Sequence, residues 1–266
     1  RALNLDEGDE LISVRETDGT KKILIATHDG QAICFDENDV RPMGRDAYGV
    51  RGIKLAEGDE VISMSILLHS DATSEERDEY ARIASAIKRI SAERGDDSCV
   101  SPEDTGLLNV LTTEKYKEMA EREQFILSVT STGYGKRTSS YEYRVTGRGG
   151  QGIANMEMSA RNKEIVSSFP IEDDNQIMMV TDGGKLIRMP VKDIRIAGRK
   201  TQGVILFRTA ENERVVSVTW LDADDGDDDE LEEETGSEVL GDSVAEPEDN
   251  FDEVSEPETG ADNNDE

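Results

Sequence analysis

The chain has 266 residues, with 60 Asp and Glu against 30 Lys and Arg, and a formal charge of −30. It is 34% charged and 35% apolar, and no run of about 18 apolar residues offers a membrane-spanning helix. Taken whole, that acidity argues against nucleic acid, because phosphate binding needs Lys and Arg.

The first residue is Arg1, not Met, so the sequence is expected to be a fragment. No signal peptide is recognisable. Residues 22–26 (KILIA) and 32–35 (AICF) flank Asp29-Gly30 and predict a β-hairpin. A further strand is expected at 49–55. The run at 5–13 (LDEGDELIS) returns at 55–63 (LAEGDEVIS), 50 positions on. Residues 11–13 are therefore expected to close one unit as 61–63 close the next.

Helical spacing then takes over. Thr73 and Glu76 form a capping box, Tyr80, Ile83, Ile87 and Ile90 follow on one face, and Gly95 stands where a helix would stop. A second helix is expected over 113–124, with Tyr116 and Met119 on one face. Together they predict a helical hairpin at 69–124, either a solvated ornament or a docking site. Strands resume at 124–129, 177–180 and 203–207. The closing strand recurs at 162–167 and 212–217, again 50 apart.

One spacing occurs three times: Gly30, Gly44-Arg45, Gly49; Gly133, Gly147-Arg148, Gly152; Gly184, Gly198-Arg199, Gly203. Four short strands in each ~50 residues fit the blade of a propeller-like array. One blade cannot cover both its faces, so neighbours must pack together. Phe35, Ile53, Leu55, Ile62, Phe125, Met178, Leu186, Ile205 and Val216 are the expected core, and Cys34 a small core residue. Cys34 and Cys99 make neither a disulfide framework nor a metal site and fit a reducing cytoplasm. His28 and His69 lack Cys or His partners at metal spacing, and no phosphate-gripping P-loop is present.

The charge is not evenly spread. From Asp222 to Glu266 there are 22 acids and no base, whereas 125–221 hold 14 bases and 10 acids. The tail has too little apolar surface to offset its ordering entropy and is expected to be disordered. It serves solubility, or it competes with phosphate for the basic surface of the body.

The blades resemble the C-terminal domain of the DNA gyrase A subunit. The resemblance rests on three runs: 39–45 (DVRPMGR) leading into 49–55 (GVRGIKL), 133–138 (GYGKRT) leading into 142–144 (EYR), and 182–188 (DGGKLIR) leading into 193–206 (DIRIAGRKTQGVIL). It implies an all-β fold, a β-pinwheel of propeller-like blades of four antiparallel strands that exchange strands. The expected organisation is the end of one blade plus a complete blade at 1–68, the inserted hairpin at 69–124, two further blades at 125–221, and the acidic tail at 222–266. About half of a six-bladed domain would lie upstream. The family's Gln-Arg-Arg-Gly-Gly-Lys-Gly box has only a degenerate echo at 146–152 (TGRGGQG).

The resemblance implies a DNA-wrapping part of an ATP-dependent type II topoisomerase that introduces negative supercoils. The catalytic tyrosine and the ATP and Mg sites would lie elsewhere in the holoenzyme, so no cofactor is expected in this chain. Expected partners are double-stranded DNA and, in a heterotetramer, the remainder of the gyrase A subunit with the gyrase B subunit. The expected location is cytoplasmic and nucleoid-associated, with no membrane partner. Alternatives are a protein-binding propeller and the C-terminal domain of the topoisomerase IV A subunit.

Glycine-bordered arginines repeated once per blade suit a polymer of phosphates. Arg45, Arg148 and Arg199 are the leading candidates for DNA contact. Arg41, Arg51, Lys54, Lys136, Arg137, Arg144, Lys185, Arg188, Lys192, Arg195 and Lys200 support them. The low aromatic content argues against single-strand stacking.

Overall fold

The computed structural model describes residues 3–94 and 100–222. The expectations for Gly95, Cys99 and the tail beyond 222 lie outside the described residues.

The first hairpin joins β1 (Lys21–Thr27) to β2 (Gln31–Asp36) through Gly30 at φ +84°. Only a residue tolerating the left-handed region turns the chain there without strain. After a 3-10 turn and a long loop, β3 (Val61–Leu68) returns antiparallel to β1. The same plan follows twice more. β4 (Phe125–Thr130), β5 (Tyr134–Ser139) and β7 (Ile165–Ile171) form the second blade. β8 (Gln176–Thr181), β9 (Leu186–Pro190) and β11 (Val215–Leu221) form the third.

The fourth strand of a blade comes from the next blade. The short β6 (Ile153–Ala154) lies in the second repeat but pairs with β2 of the first. The short β10 (Val204–Ile205) lies in the third repeat but pairs with β5 of the second. Two sheets therefore have four strands and the third has three. A four-stranded sheet built wholly within one repeat is not what the chain makes.

Glycine permits this exchange. Gly152 has φ +78°, and a Cβ there would stand 2.5 Å from the Ala32 carbonyl oxygen. Gly203 repeats the geometry against Gly135, at 2.7 Å.

Residues 11–13 and 49–55, both expected as strands, carry no ladder among the described residues. They match the closing and exchanged strands of the repeat, but among the described residues no hairpin edge lies beside them. A strand has no hydrogen-bonding reason to form without an edge beside it.

Strands β3, β7 and β11 stand side by side, and their residues, including Met64, Phe169 and Trp220, line one cavity of about 1070 Å³. β2, β5 and β9 therefore lie toward the outer edge. Burial alternates along β1 and β8, whereas β2, β4 and β5 are buried on both faces through their middles. Phe35 and Ile53 are buried as expected, and Cys34 is buried and free. Ile62, Phe125 and Met178 are half-buried. Leu55, Leu186, Ile205 and Val216 are exposed, against expectation. Neighbouring residues take their places, such as Met179 beside Met178 and Val215 beside Val216.

The insertion is helical as the spacing predicts. α1 (Ser74–Arg94) starts at a capping box in which the Glu76 amide donates to Thr73 Oγ1 and the Thr73 amide to Glu76 Oε2. α2 (Thr113–Arg122) packs back on it, with Tyr80 stacked on Tyr116 at 4.8 Å. Glu79 is fully buried and accepts the amides of Asn109, Val110 and Leu111. These bonds to the anion outweigh its burial and hold its carboxyl below the usual range. Tyr141 anchors the hairpin to the second blade, its hydroxyl donating to the Met119 carbonyl.

Candidate nucleic-acid interface

Each outer strand ends in a 3-10 turn, at Glu37–Asp39, Ser140–Glu142 and Val191–Asp193. The chain then crosses to the neighbouring blade. Thr146 donates its amide to Cys34, and Ala197 does the same to Arg137. The Gly-Arg loops follow, on the outermost edge of the preceding blade.

There the repeated arginines act first as clamps. Arg148 donates through Nε to the Asp39 carbonyl and through Nη1 to the Arg51 carbonyl, both at 3.0 Å. Arg199, one blade on, donates through Nη1 to the Ala154 carbonyl at 2.7 Å. Ala154 holds the position that Arg51 holds one blade earlier. The backbone amide of Arg199 bonds Glu142 Oε2, the counterpart of Asp39. Arg199 is half-buried, whereas Arg148 stays exposed. Arg45 is exposed, and among the described residues it makes no clamp bond of this kind.

Two of the expected DNA contacts are interior. Lys136 is fully buried, and its ammonium donates to the carbonyls of Gly198, Arg199 and Thr201. It staples the third Gly-Arg loop from below, and burial lowers its pKa to about 8. Arg137 is buried too, donating to the Ile194 carbonyl and pairing with Asp173. Neither side chain can reach a polymer outside the blades. Adjacent positions on a strand face opposite ways, but both neighbours here are covered, one by the loop and one by the next blade.

The remaining candidates are on the surface. Arg41, Arg51, Lys54, Arg144, Lys185, Arg188, Lys192, Arg195 and Lys200 are all exposed. Lys185 is engaged by Glu213 at 2.7 Å, and Arg188 by Gln176.

A different repeated set emerges among them. Arg41, Arg144 and Arg195 each stand two residues past the acid that ends a 3-10 turn: DVR, EYR and DIR. The residue between points inward, with Tyr143 and Ile194 buried. The arginine therefore points out, and among the described residues no ion pair holds any of the three. The acid–apolar–arginine triplet was present in the sequence as a signal for this set. The more regular glycine spacing masked it.

A group of His28, Asp29 and Asp59 brings ligand atoms together within 4.8 Å. His28 Nδ1 already meets Asp29, and Asp59 accepts the Asp29 amide. The geometry is that of a hydrogen-bonded turn.

Comparison with known proteins adds to this geometry. A family model described as "DNA gyrase C-terminal domain, beta-propeller" matches residues 1–18, 21–67, 124–171 and 175–219, and so leaves out the helical insertion. The DNA gyrase A subunit of Granulibacter bethesdensis is 46% identical over 246 residues, 85% of this chain and 26% of that protein. Its counterpart in Rickettsia bellii is 43% identical over 239 residues, covering 90% of this chain and again 26% of the relative. The chain thus spans about a quarter of the length of these relatives. Two solved structures share the fold. The C-terminal domain of DNA topoisomerase IV has TM-score 0.60 at 23% identity, over 84% of this chain and 53% of that one. The DNA gyrase A C-terminal domain has TM-score 0.56 at 20% identity, over 82% and 57%. The strand-exchanged blades, the repeated loops and the matched segments agree, and the chain belongs to the DNA gyrase C-terminal domain family.

Proposed function

We propose that this chain is the DNA-wrapping part of a DNA gyrase A subunit. The observation that carries it is the row of exposed, unpaired arginines Arg41, Arg144 and Arg195, one per blade. A stiff polyanion laid across successive blades would meet a cation at each step. Smooth bending of 20–30 bp by 40–90° costs of order 1–6 kcal/mol, and spaced contacts offset it. The contacts go to phosphate and carry little base preference. Arg45, Arg51, Lys54, Lys192 and Lys200 add to the same surface, and Arg148 retains an exposed edge for it.

In this role the chain fixes the path of duplex DNA. The remainder of the A subunit, together with the B subunit in a heterotetramer, would supply strand passage, ATP and Mg. The assembly would act in the cytoplasm on the nucleoid. The identities to gyrase subunits support this over the topoisomerase IV alternative.

Binding of a duplex fragment by the full chain, measured against salt, tests the proposal. Neutralising the three arginines together should lower the salt slope by about 2.7, at about 0.9 per phosphate contact. Binding without any salt slope in the unmodified chain would defeat the proposal. The acidic tail is proposed to restrain wrapping, and its removal should tighten duplex binding.

A further inference from the structure

The two blade junctions are built alike, yet their Gly-Arg loops are not equivalent. Between the second and third blades, Glu142 reaches into the loop. Its Oε2 accepts the Arg199 amide at 2.9 Å and lies 4.0 Å from Arg199 Nε. A Cβ on Gly198 would stand 3.5 and 3.7 Å from the two carboxylate oxygens, so the anion lies close against the glycine. The Gly198-Arg199 peptide thus already holds an anionic oxygen, as a backbone amide beside a cation is suited to do.

Between the first and second blades the counterpart of Glu142 is Asp39, one methylene shorter. Arg148 donates through Nε to the backbone carbonyl of Asp39 instead. Among the described residues, neither the Asp39 carboxylate nor any other acceptor takes the Arg148 amide. A Cβ on Gly147 would meet nothing within 4 Å. The strand register puts Ile33 of β2 at the position of Lys136 in β5, so no ammonium staples this loop from below. A cavity of about 290 Å³ opens beside it, with Arg144, Thr146, Gly147 and Gln151 in its lining. Arg51 lies against Gly149, its Cγ 3.9 Å from where a Cβ would stand, whereas the third loop faces Ala154 at that position. Arg51, Arg144 and Arg148 therefore border an unclaimed amide, with Asp39 as the opposing acid.

We propose that the Gly147-Arg148 peptide is a seat for one phosphodiester group of the duplex, and that Glu142 is a built-in occupant of the equivalent seat one blade on. A phosphate oxygen would accept the Arg148 amide as Glu142 Oε2 accepts that of Arg199, with Arg51 and Arg144 offsetting the charge. The duplex is then fixed at the first junction and passes the second without entering its loop. This inference rests on the proposed wrapping role and makes its successive blades unequal.

The test compares the full chain with Asp39→Glu, Gly147→Leu and Glu142→Asp on a duplex fragment across a salt series. None of the three alters the net charge, so they read reach and space rather than overall attraction. Asp39→Glu should bring a carboxylate to the Arg148 amide, and Gly147→Leu should fill the seat. Each should lower the salt slope by about 0.9, the value of one phosphate contact. Glu142→Asp should free the Arg199 amide and raise the slope by about 0.9. Inorganic phosphate, titrated at constant ionic strength, should move the Arg148 amide resonance and leave that of Arg199 in place. Unchanged slope in both Asp39→Glu and Gly147→Leu, with the unmodified chain still binding duplex, would overturn the seat alone. An Arg148 resonance that moves with inorganic phosphate while duplex binding is unchanged in every variant would mean a free-anion site and would also overturn it. Failure of the unmodified chain to bind duplex would instead defeat the wrapping role.

Discussion

The Arg199 guanidinium donates to the carbonyl of Ala154, 2.7 Å away across the junction between the second and third blades. Arg148 makes the same bond to Arg51 one junction earlier. Two arginines at the same repeat position thus bind the same backbone position of the preceding repeat.

Arg199→Ala should therefore act on stability. A hydrogen bond to a charged group contributes about 1.5–3 kcal/mol, and a half-buried partner keeps much of it. The urea midpoint should fall, with the slope of the transition unchanged. Arg195→Ala is the contrast, because its side chain is exposed and unpaired. It should leave the midpoint alone and weaken duplex binding. Reversal of these two outcomes would place the DNA track on the glycine loops instead.

Lys136 gives a pH dependence with a defined sign. Burial lowers its pKa from 10.5 to about 8. Between those values the unfolded chain holds the proton that the folded chain has released, so stability contributed through this group rises with pH across that window. Below about pH 8 both states are charged and the folded state carries the full cost of burial. Lys136→Met should remove that rise. Denaturant titrations of both chains from pH 7 to 10.5 would show it as converging or parallel curves.

Gly152 should accept no side chain. Its φ is +78°, and an added Cβ would stand 2.5 Å from the Ala32 oxygen, backbone that cannot swing aside. A left-handed conformation alone costs a non-glycine residue about 1–2 kcal/mol, and the clash adds to it. Gly152→Ala should lower the thermal midpoint. Gly147→Ala, with nothing within 4 Å and no positive φ, should not.

Much of the fold was legible because backbone demands repeat. The glycines at 30, 133 and 184 are fixed by turn geometry, and that requirement survives while side chains drift. The helical hairpin was legible from a local cap and a 3.6-residue period. The side of each strand that faces inward was less so. Met178 and Met179, or Val215 and Val216, are chemically alike, and only the packed neighbour decides which is buried. Strand ownership was legible only through the resemblance, because β6 and β10 lie within one repeat by sequence and within another by hydrogen bonding. The candidate site suffered likewise. Arg199 and Arg195 look equivalent as charges, and only the position of a carbonyl separates a clamp from a free cation.

Strand lending gives the molecule a direction. The first sheet is finished by β6 and the second by β10, each made later in the chain than the sheet it completes. On a ribosome, then, the first and second blades must each wait with an open edge until the following one emerges. Loss of a later blade unseals the sheet before it, whereas loss of an earlier one leaves a lent strand without an edge to join. A truncation that removes β10 should therefore open the second sheet, although the other three strands of that sheet remain.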